Sequence, residues 1–177
     1  MNKAIFLDRD NTIIWDKHYL NDPNDIEYIP GVFEALSLLH SSGYLLIIVS
    51  NQSGIAKGIV SLENLEEIHK RIKMRLQQAG CPLHDIFYCP ADSNSNDPDR
   101  KPKPGMLIKA KNKHQIDMSQ SWMIGDKESD VEAGHNAGCR SILFLPTGKT
   151  ENKTEADFET NSIVEAADFI LKFSNKY

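Results

Sequence analysis

Ala4-Ile5-Phe6-Leu7 runs without a polar break into Asp8-Arg9-Asp10-Asn11-Thr12. A short, continuous apolar run is the mark of a strand buried on both faces, which belongs in a parallel sheet covered by helices. Ligand chemistry in such sheets collects beyond the carboxyl ends of the strands, and Asp8 stands at that mouth. Residues two apart on extended backbone point the same way, so Asp10 faces the same space as Asp8 unless the chain turns first. Two carboxylates brought together disturb each other's pKa, an arrangement of use where a cation or a proton is handled. Taken alone, the segment is equally compatible with a polar turn after a strand.

The rest of the chain repeats the pattern. Residues 11–30 lack a clean period and contain the turn formers Asn21-Asp22-Pro23-Asn24-Asp25. They read as a loop, and one this long beside a strand end is more often a binding or covering element than a mere connection. Asp16, Lys17, His18 and Tyr19 are its polar candidates for touching a substrate, each with a solvated reading beside it. Pro30-Gly31 opens a helix with Val32, Ala35, Leu36, Leu38 and Leu39 as its apolar face, and Gly43 ends it. Tyr44 to Val49 is a second buried strand, delivering Ser50-Asn51-Gln52-Ser53-Gly54, neutral donors suited to phosphate oxygens and also ordinary turn chemistry. Ser61 is the expected N-cap of a helix running to about Ala79, with Leu65, Ile68, Ile72 and Leu76 buried and His69 solvated.

Ile86-Phe87-Tyr88 makes a short third strand, followed by a polar loop over 89–99. In Arg100-Lys101-Pro102-Lys103-Pro104-Gly105 the prolines restrict their neighbours, so Lys101 and Lys103 are held, either against an anion or as a solvent-facing basic turn. A helix over Gly105 to His114 and a strand over Ser121 to Ile124 lead to Gly125-Asp126-Lys127-Glu128-Ser129-Asp130. There the two aspartates, four apart, share a face if a helix starts within the turn. A helix ending at Gly138, a strand over Ser141 to Leu145, a loose charged stretch over 149–161 and a closing helix complete the chain. This alternation predicts an α/β fold: a doubly wound, Rossmann-like parallel sheet of about five or six strands with helices on both faces. A length of 177 residues predicts one domain over 1–177, with little room for a second.

Four strand-end polar sites, Asp8, Asp10, Ser50 and Asp126, together with the held Lys101, exceed what turn formers alone explain. Oxygen-only ligands such as Asp8 and Asp126, with no histidine or cysteine cluster, favour Mg²⁺. A net charge of −5 argues against a nucleic-acid backbone as the main partner. Three cysteines without disulfide or zinc spacing fit a reducing compartment. The amino terminus lacks a signal peptide's apolar region, and the longest apolar run is too short for a bilayer. The expectation is a cytoplasmic protein, monomeric, without membrane or nucleic-acid partners.

Asp-x-Asp-x-Thr, Ser-Asn, Lys-Pro before a helix and Gly-Asp-x-x-x-Asp resemble the four motifs of the haloacid dehalogenase (HAD) superfamily of phosphatases, through Gly148. The longer strings Phe-Leu-Asp-Arg-Asp, Ser-Asn-Gln-Ser-Gly-Ile-Ala and Arg-Lys-Pro-x-Pro-Gly-Met are similar to the capless branch acting on heptose bisphosphates and histidinol phosphate. The resemblance implies a Mg²⁺-dependent phosphomonoester hydrolase. Asp8 attacks phosphorus to give an aspartyl-phosphate, and Asp10 protonates the leaving oxygen and then deprotonates water. Asp8, the backbone carbonyl of Asp10 and Asp126 hold Mg²⁺, while Ser50 and Lys101 bind the phosphoryl group. Asn51, Gln52, Ser53, Arg100 and Lys127, with Asp16 to Tyr19, contact the rest of a small sugar phosphate.

The cations tilt the implied substrate to the 7-phosphate of D-glycero-D-manno-heptose 1,7-bisphosphate, with histidinol phosphate or another small phosphomonoester as the alternative. A Mg²⁺-binding phospho-acceptor or degenerate binding module is the non-catalytic alternative. Two departures from the family pattern stand out. Asn11 takes the place of a common glycine, and asparagine tolerates left-handed backbone. The loop before Arg100 carries Cys89, Ala91, Asp97 and Asp99 where many relatives bind zinc, so structural zinc is not expected and turns and hydrogen bonds hold the loop.

Overall fold

The computed structural model describes residues 1–148 and 154–174. Six strands, β1 (Lys3–Leu7), β2 (Tyr44–Asn51), β3 (Asp85–Cys89), β4 (Trp122–Gly125), β5 (Arg140–Phe144) and β6 (Phe158–Thr160), form one sheet in the order β3-β2-β1-β4-β5-β6. All five pairings are parallel. The helices are α1 (Val32–Ser41), α2 (Leu62–Gln78), α3 (Gly105–His114), α4 (Glu128–Ala137) and α5 (Ile163–Ser174). The doubly wound α/β architecture is the expected one.

Alternation along β1 divides the core. Ile5 and Leu7 join the α1, α2 and α5 side with Leu36, Ile72 and Ile170, whereas Ala4 and Phe6 join the α3 and α4 side with Leu107, Met123 and Ala133. Each fully buried Ile, Leu or Phe side chain contributes about 1.5–3 kcal/mol relative to an exposed one, so Ile5, Phe6 and Leu7 fix β1 in register from both faces. Strand order reverses between β1 and β4. That reversal opens a crevice at the carboxyl end of β1, flanked by the ends of β2 and β4.

Three elements differ from expectation. The stretch read as loose contains β6, whose Phe158 stacks on Phe169 at 4.1 Å and 2° while Glu159 stays partly exposed. A three-residue edge strand shows only one alternation, too little to read as a period; Lys149 and residues 150–153 of that stretch lie outside the described residues. Leu38, assigned to the buried face of α1, is 37% exposed, because the buried set is Val32, Ala35, Leu36 and Leu39. His69, read as solvated, is buried with Leu65, Ile72 and Leu76, one α-helical stripe.

The long loop over 11–30 is docked rather than free. Ile13, Ile14, Leu20 and Ile29 are buried, and Ile14 bridges both Asp10 and Tyr28. The 89–104 loop is laced by its own polar groups: Asn94 N and Ser93 Oγ bond Asp92, Asp99 N bonds Asp97 at 2.8 Å, and Arg100 Nη1 reaches the Ala91 carbonyl at 3.1 Å. No helix among the described residues is long and apolar enough to cross a membrane.

Candidate active site

Asp8 is the first residue beyond β1, and its N–H continues the ladder to the Ile124 carbonyl of β4 at 2.9 Å. Its carboxylate meets Lys101, whose ammonium is 2.9 Å from Asp8 Oδ1, 2.6 Å from Asp130 Oδ1 and 2.8 Å from the Val49 carbonyl. Three donors thus meet three acceptors, and all of these side chains are buried. Burial would lower the Lys101 pKa, yet the Asp130 and Asp8 charges hold the ammonium charged above the ordinary lysine range. Asn51 fixes the lysine's backbone from both sides, donating to the Lys101 carbonyl at 3.1 Å and accepting from its N–H at 3.0 Å.

Asp130 lies in the first turn of α4, where its Oδ2 accepts from the Lys127 N–H at 3.1 Å. Burial pushes its carboxyl upward and the Lys101 ammonium pulls it back. Gly125 makes this placement possible: a Cβ there would sit 2.3 Å from Asp130 Oδ2 and 2.5 Å from its Cβ. Gly125→Ala is therefore expected to displace Asp130 and, through it, Lys101. Steady-state kinetics should show kcat lower by about 10²-fold, and denaturation should show a loss of about 1–3 kcal/mol.

Asp10 is held separately. Arg9, 1% exposed, donates Nε to Oδ1 at 3.1 Å and Nη2 to both carboxylate oxygens at 3.0 Å. Gln52 splits its amide between Asp10 Oδ2 at 3.0 Å and Ser50 Oγ at 2.8 Å, leaving the Ser50 proton to be donated elsewhere. Burial raises the Asp10 pKa, Arg9 opposes this, and the Asp8 charge reinforces it. Two carboxyls two residues apart thus sit in different surroundings, one against an ammonium and one in a guanidinium clamp.

Behind Arg9, its Nη1 lies 3.4 Å from His69 Nε2. Burial and the Arg9 charge lower the His69 pKa to about 3. The unfolded chain takes up this proton near the ordinary value of about 6.5 and the folded chain does not, so stability is lost as pH falls below 6.5. Between pH 7 and pH 5 the loss is about 2 kcal/mol. Denaturant titrations at the two pH values should show that His69→Gln removes this part of the acid sensitivity.

Asp126 follows Gly125 directly. Its Oδ2 accepts from Asn11 Nδ2 at 3.0 Å, while Oδ1 is buried without a hydrogen-bond partner. Burial and then the Asp8 charge raise its pKa. Carboxylate oxygens of Asp8, Asp126 and Asp130 lie within 4.8 Å of one another. The oxygens of Asp130 are already taken by Lys101 and by the α4 cap, whereas the orphaned Asp126 oxygen needs a positive partner. An all-oxygen set of this kind fits a hard divalent cation.

A cavity of about 520 Å³ opens above these groups, lined by Asp8, Asp10, Asp16, His18, Tyr19, Asn51, Gln52, Ser53, Arg100, Lys101 and Lys127. Lys17 stands apart, paired with Glu27 at 2.6 Å, and Asn51 reaches the cavity with its amide already committed to Lys101. Asp130, Arg9 and His69 are site residues that motif reading passed over. The Gly-Asp-x-x-x-Asp spacing carried a signal for Asp130; the Arg9 clamp on Asp10 is set by the turn after β1, and His69 is visible only once α2 brings it to Arg9.

A family model described as HAD-hydrolase-like matches residues 99–170. D-glycero-beta-D-manno-heptose-1,7-bisphosphate 7-phosphatase of Helicobacter pylori is 42% identical over 145 residues, covering 81% of this chain and 84% of that protein. The Haemophilus influenzae protein of the same name is 40% identical over 174 residues, covering 93% and 95%. Among solved structures, the D,D-heptose 1,7-bisphosphate phosphatase of B. bronchiseptica, complexed with magnesium and phosphate, superposes with a TM-score of 0.83. It is 27% identical and covers 97% of this chain and 99% of that one.

Proposed function

Because the chain belongs to the HAD-like phosphatases, we propose that it removes the 7-phosphate of D-glycero-D-manno-heptose 1,7-bisphosphate through an aspartyl-phosphate on Asp8. The observation that carries the reading is the separation of Asp8, pinned to Lys101, from Asp10, held by Arg9 and Gln52 at the same cavity. A phospho-acceptor domain has no use for the second carboxyl. The names of the relatives favour the heptose bisphosphate.

Mg²⁺ would be held by Asp8, Asp126 and the backbone carbonyl of Asp10, as the unpartnered Asp126 oxygen and the all-oxygen donors favour. Bound there, it would offset the negative charge of the phosphoryl and carboxylate oxygens. An Asp8 oxygen attacks phosphorus while the bond from phosphorus to the sugar oxygen breaks, and that oxygen takes the proton of Asp10. Asp10 enters this step protonated, consistent with its raised pKa. Water then attacks phosphorus, gives its proton to Asp10 and frees Asp8 with release of inorganic phosphate. The Ser50 hydroxyl would donate to the phosphoryl oxygens, and the Lys101 ammonium, held beside Asp8, would set its positive charge against them.

Arg100 and Lys127 add positive charge to the cavity wall, which suits a substrate with a second phosphate better than one bearing an ammonium group. Phosphate release with Mg²⁺ should be fastest from a heptose 1,7-bisphosphate anomer, slower from fructose 1,6-bisphosphate and slowest from histidinol phosphate. Preference for histidinol phosphate would overturn the substrate while leaving the chemistry standing.

A further inference from the structure

Asn11 adopts left-handed backbone, φ 55°, in a tight turn closed by its own N–H on the Ile14 carbonyl at 2.7 Å. Its side chain bridges two parts of the site. Nδ2 donates to Asp126 Oδ2 at 3.0 Å, and Oδ1 accepts from the Asp16 N–H at 3.1 Å. The first bond fixes the rotation of the Asp126 carboxylate and leaves the buried, unpartnered Oδ1 as its open position. The second anchors the start of the segment that lines the cavity through Asp16, His18 and Tyr19. Within the segment Asp16 Oδ1 accepts from the His18 N–H at 2.8 Å, Lys17 pairs with Glu27 at 2.6 Å and the Tyr19 hydroxyl accepts from Lys57 Nζ at 2.6 Å, while His18 and Tyr19 both have positive φ, at 56° and 74°; the Asn11 bond ties this segment to Asp126.

We propose that Asn11 is a positioning residue that couples cation binding at Asp126 to the ordering of the 16–19 segment. One planar amide serves both contacts, so a cation that fixes Asp126 also fixes the amide, and the amide then holds the Asp16 N–H in place. Linkage makes the effect reciprocal: an ordered segment favours the cation as much as the cation favours the segment. The inference rests on Asp126 being a cation ligand, as proposed above.

Asn11→Gly is the informative variant, since glycine keeps the left-handed backbone and deletes both bonds. Titration calorimetry with MgCl₂ alone should show the Mg²⁺ Kd of N11G raised by about tenfold or more, the usual consequence of losing an outer-shell partner of a metal ligand. Hydrogen exchange should show Mg²⁺ slowing the amides of 16–19 in the wild type and leaving them unchanged in N11G. A wild-type Kd in N11G, or a Mg²⁺ effect on 16–19 that persists in it, overturns the coupling. Exchange of the wild type alone decides the matter if N11G does not fold: indifference of 16–19 to Mg²⁺ overturns it. Asp126→Asn separates the two levels of inference. Unchanged Mg²⁺ affinity in D126N removes the ligand assignment and the coupling together, whereas lost affinity in D126N beside wild-type affinity in N11G removes the coupling alone.

Discussion

Asp8→Asn is expected to lower kcat by about 10⁴-fold or more while leaving the fold intact. The amide keeps the shape of the carboxylate but cannot supply the anionic oxygen that attacks phosphorus. Lys101 retains two of its three partners, Asp130 at 2.6 Å and the Val49 carbonyl at 2.8 Å, so its buried charge stays compensated. The charge of Asp8 also raises the pKa of Asp10 and of Asp126, and its removal relieves that repulsion. Thermal denaturation should accordingly show Tm held or raised, the pattern expected where a site trades stability for chemistry. A fall in Tm matching the fall in activity would show that Asp8 serves the fold rather than the reaction.

Lys101→Met should damage both activity and stability. Methionine fills a similar volume but leaves Asp8 and Asp130 buried with their ammonium partner gone. Breaking a buried pair from one side costs about 3–5 kcal/mol, so Tm should fall by roughly 10 °C for a chain of this size. Loss of the cation facing the transferring group should lower kcat by about 10³-fold. Pairing the change with Asp130→Asn separates the effects. The double variant should recover part of the stability, because the second buried charge goes with the first, but none of the rate. Lys101→Arg is expected to rescue neither, since a planar fork cannot direct its donors at acceptors arranged for an ammonium.

What could be read from the chain beforehand follows from the range of the interactions involved. Asp8, Ser50 and Asp126 were legible because an apolar run ending in a polar residue places that residue at a sheet edge. Lys101 was legible as a cation held by neighbouring prolines. Asn11 kept the turn through its tolerance of positive φ, observed at 55°. Its bridge from Asp126 to Asp16, however, spans 115 residues on one side and depends on β1 and β4 being neighbours. The same holds for Lys101 on Asp130 and for Arg9 on His69, pairings made by tertiary packing and invisible to local periodicity. His69 was misplaced for a simpler reason: it lies beside the apolar stripe of Leu65, Ile68, Ile72 and Leu76, and the buried face of α2 is wide enough to take it in as well. In the 16–19 segment, Lys17 was grouped with its neighbours by sequence, but the positive φ at His18 and Tyr19 redirects the chain, and Lys17 turns to Glu27.

The covalent step on Asp8 can be tested by quenching the enzyme in acid during turnover with Mg²⁺ and heptose 1,7-bisphosphate, then reducing with borohydride and sequencing by mass spectrometry. An acyl phosphate is reduced where a free carboxylate is not, so Asp8, and no other aspartate, should appear as homoserine. Rapid phosphate release from an enzyme whose Asp8 is recovered unmodified, or the appearance of homoserine at a different aspartate, would contradict the assignment of Asp8 as the nucleophile.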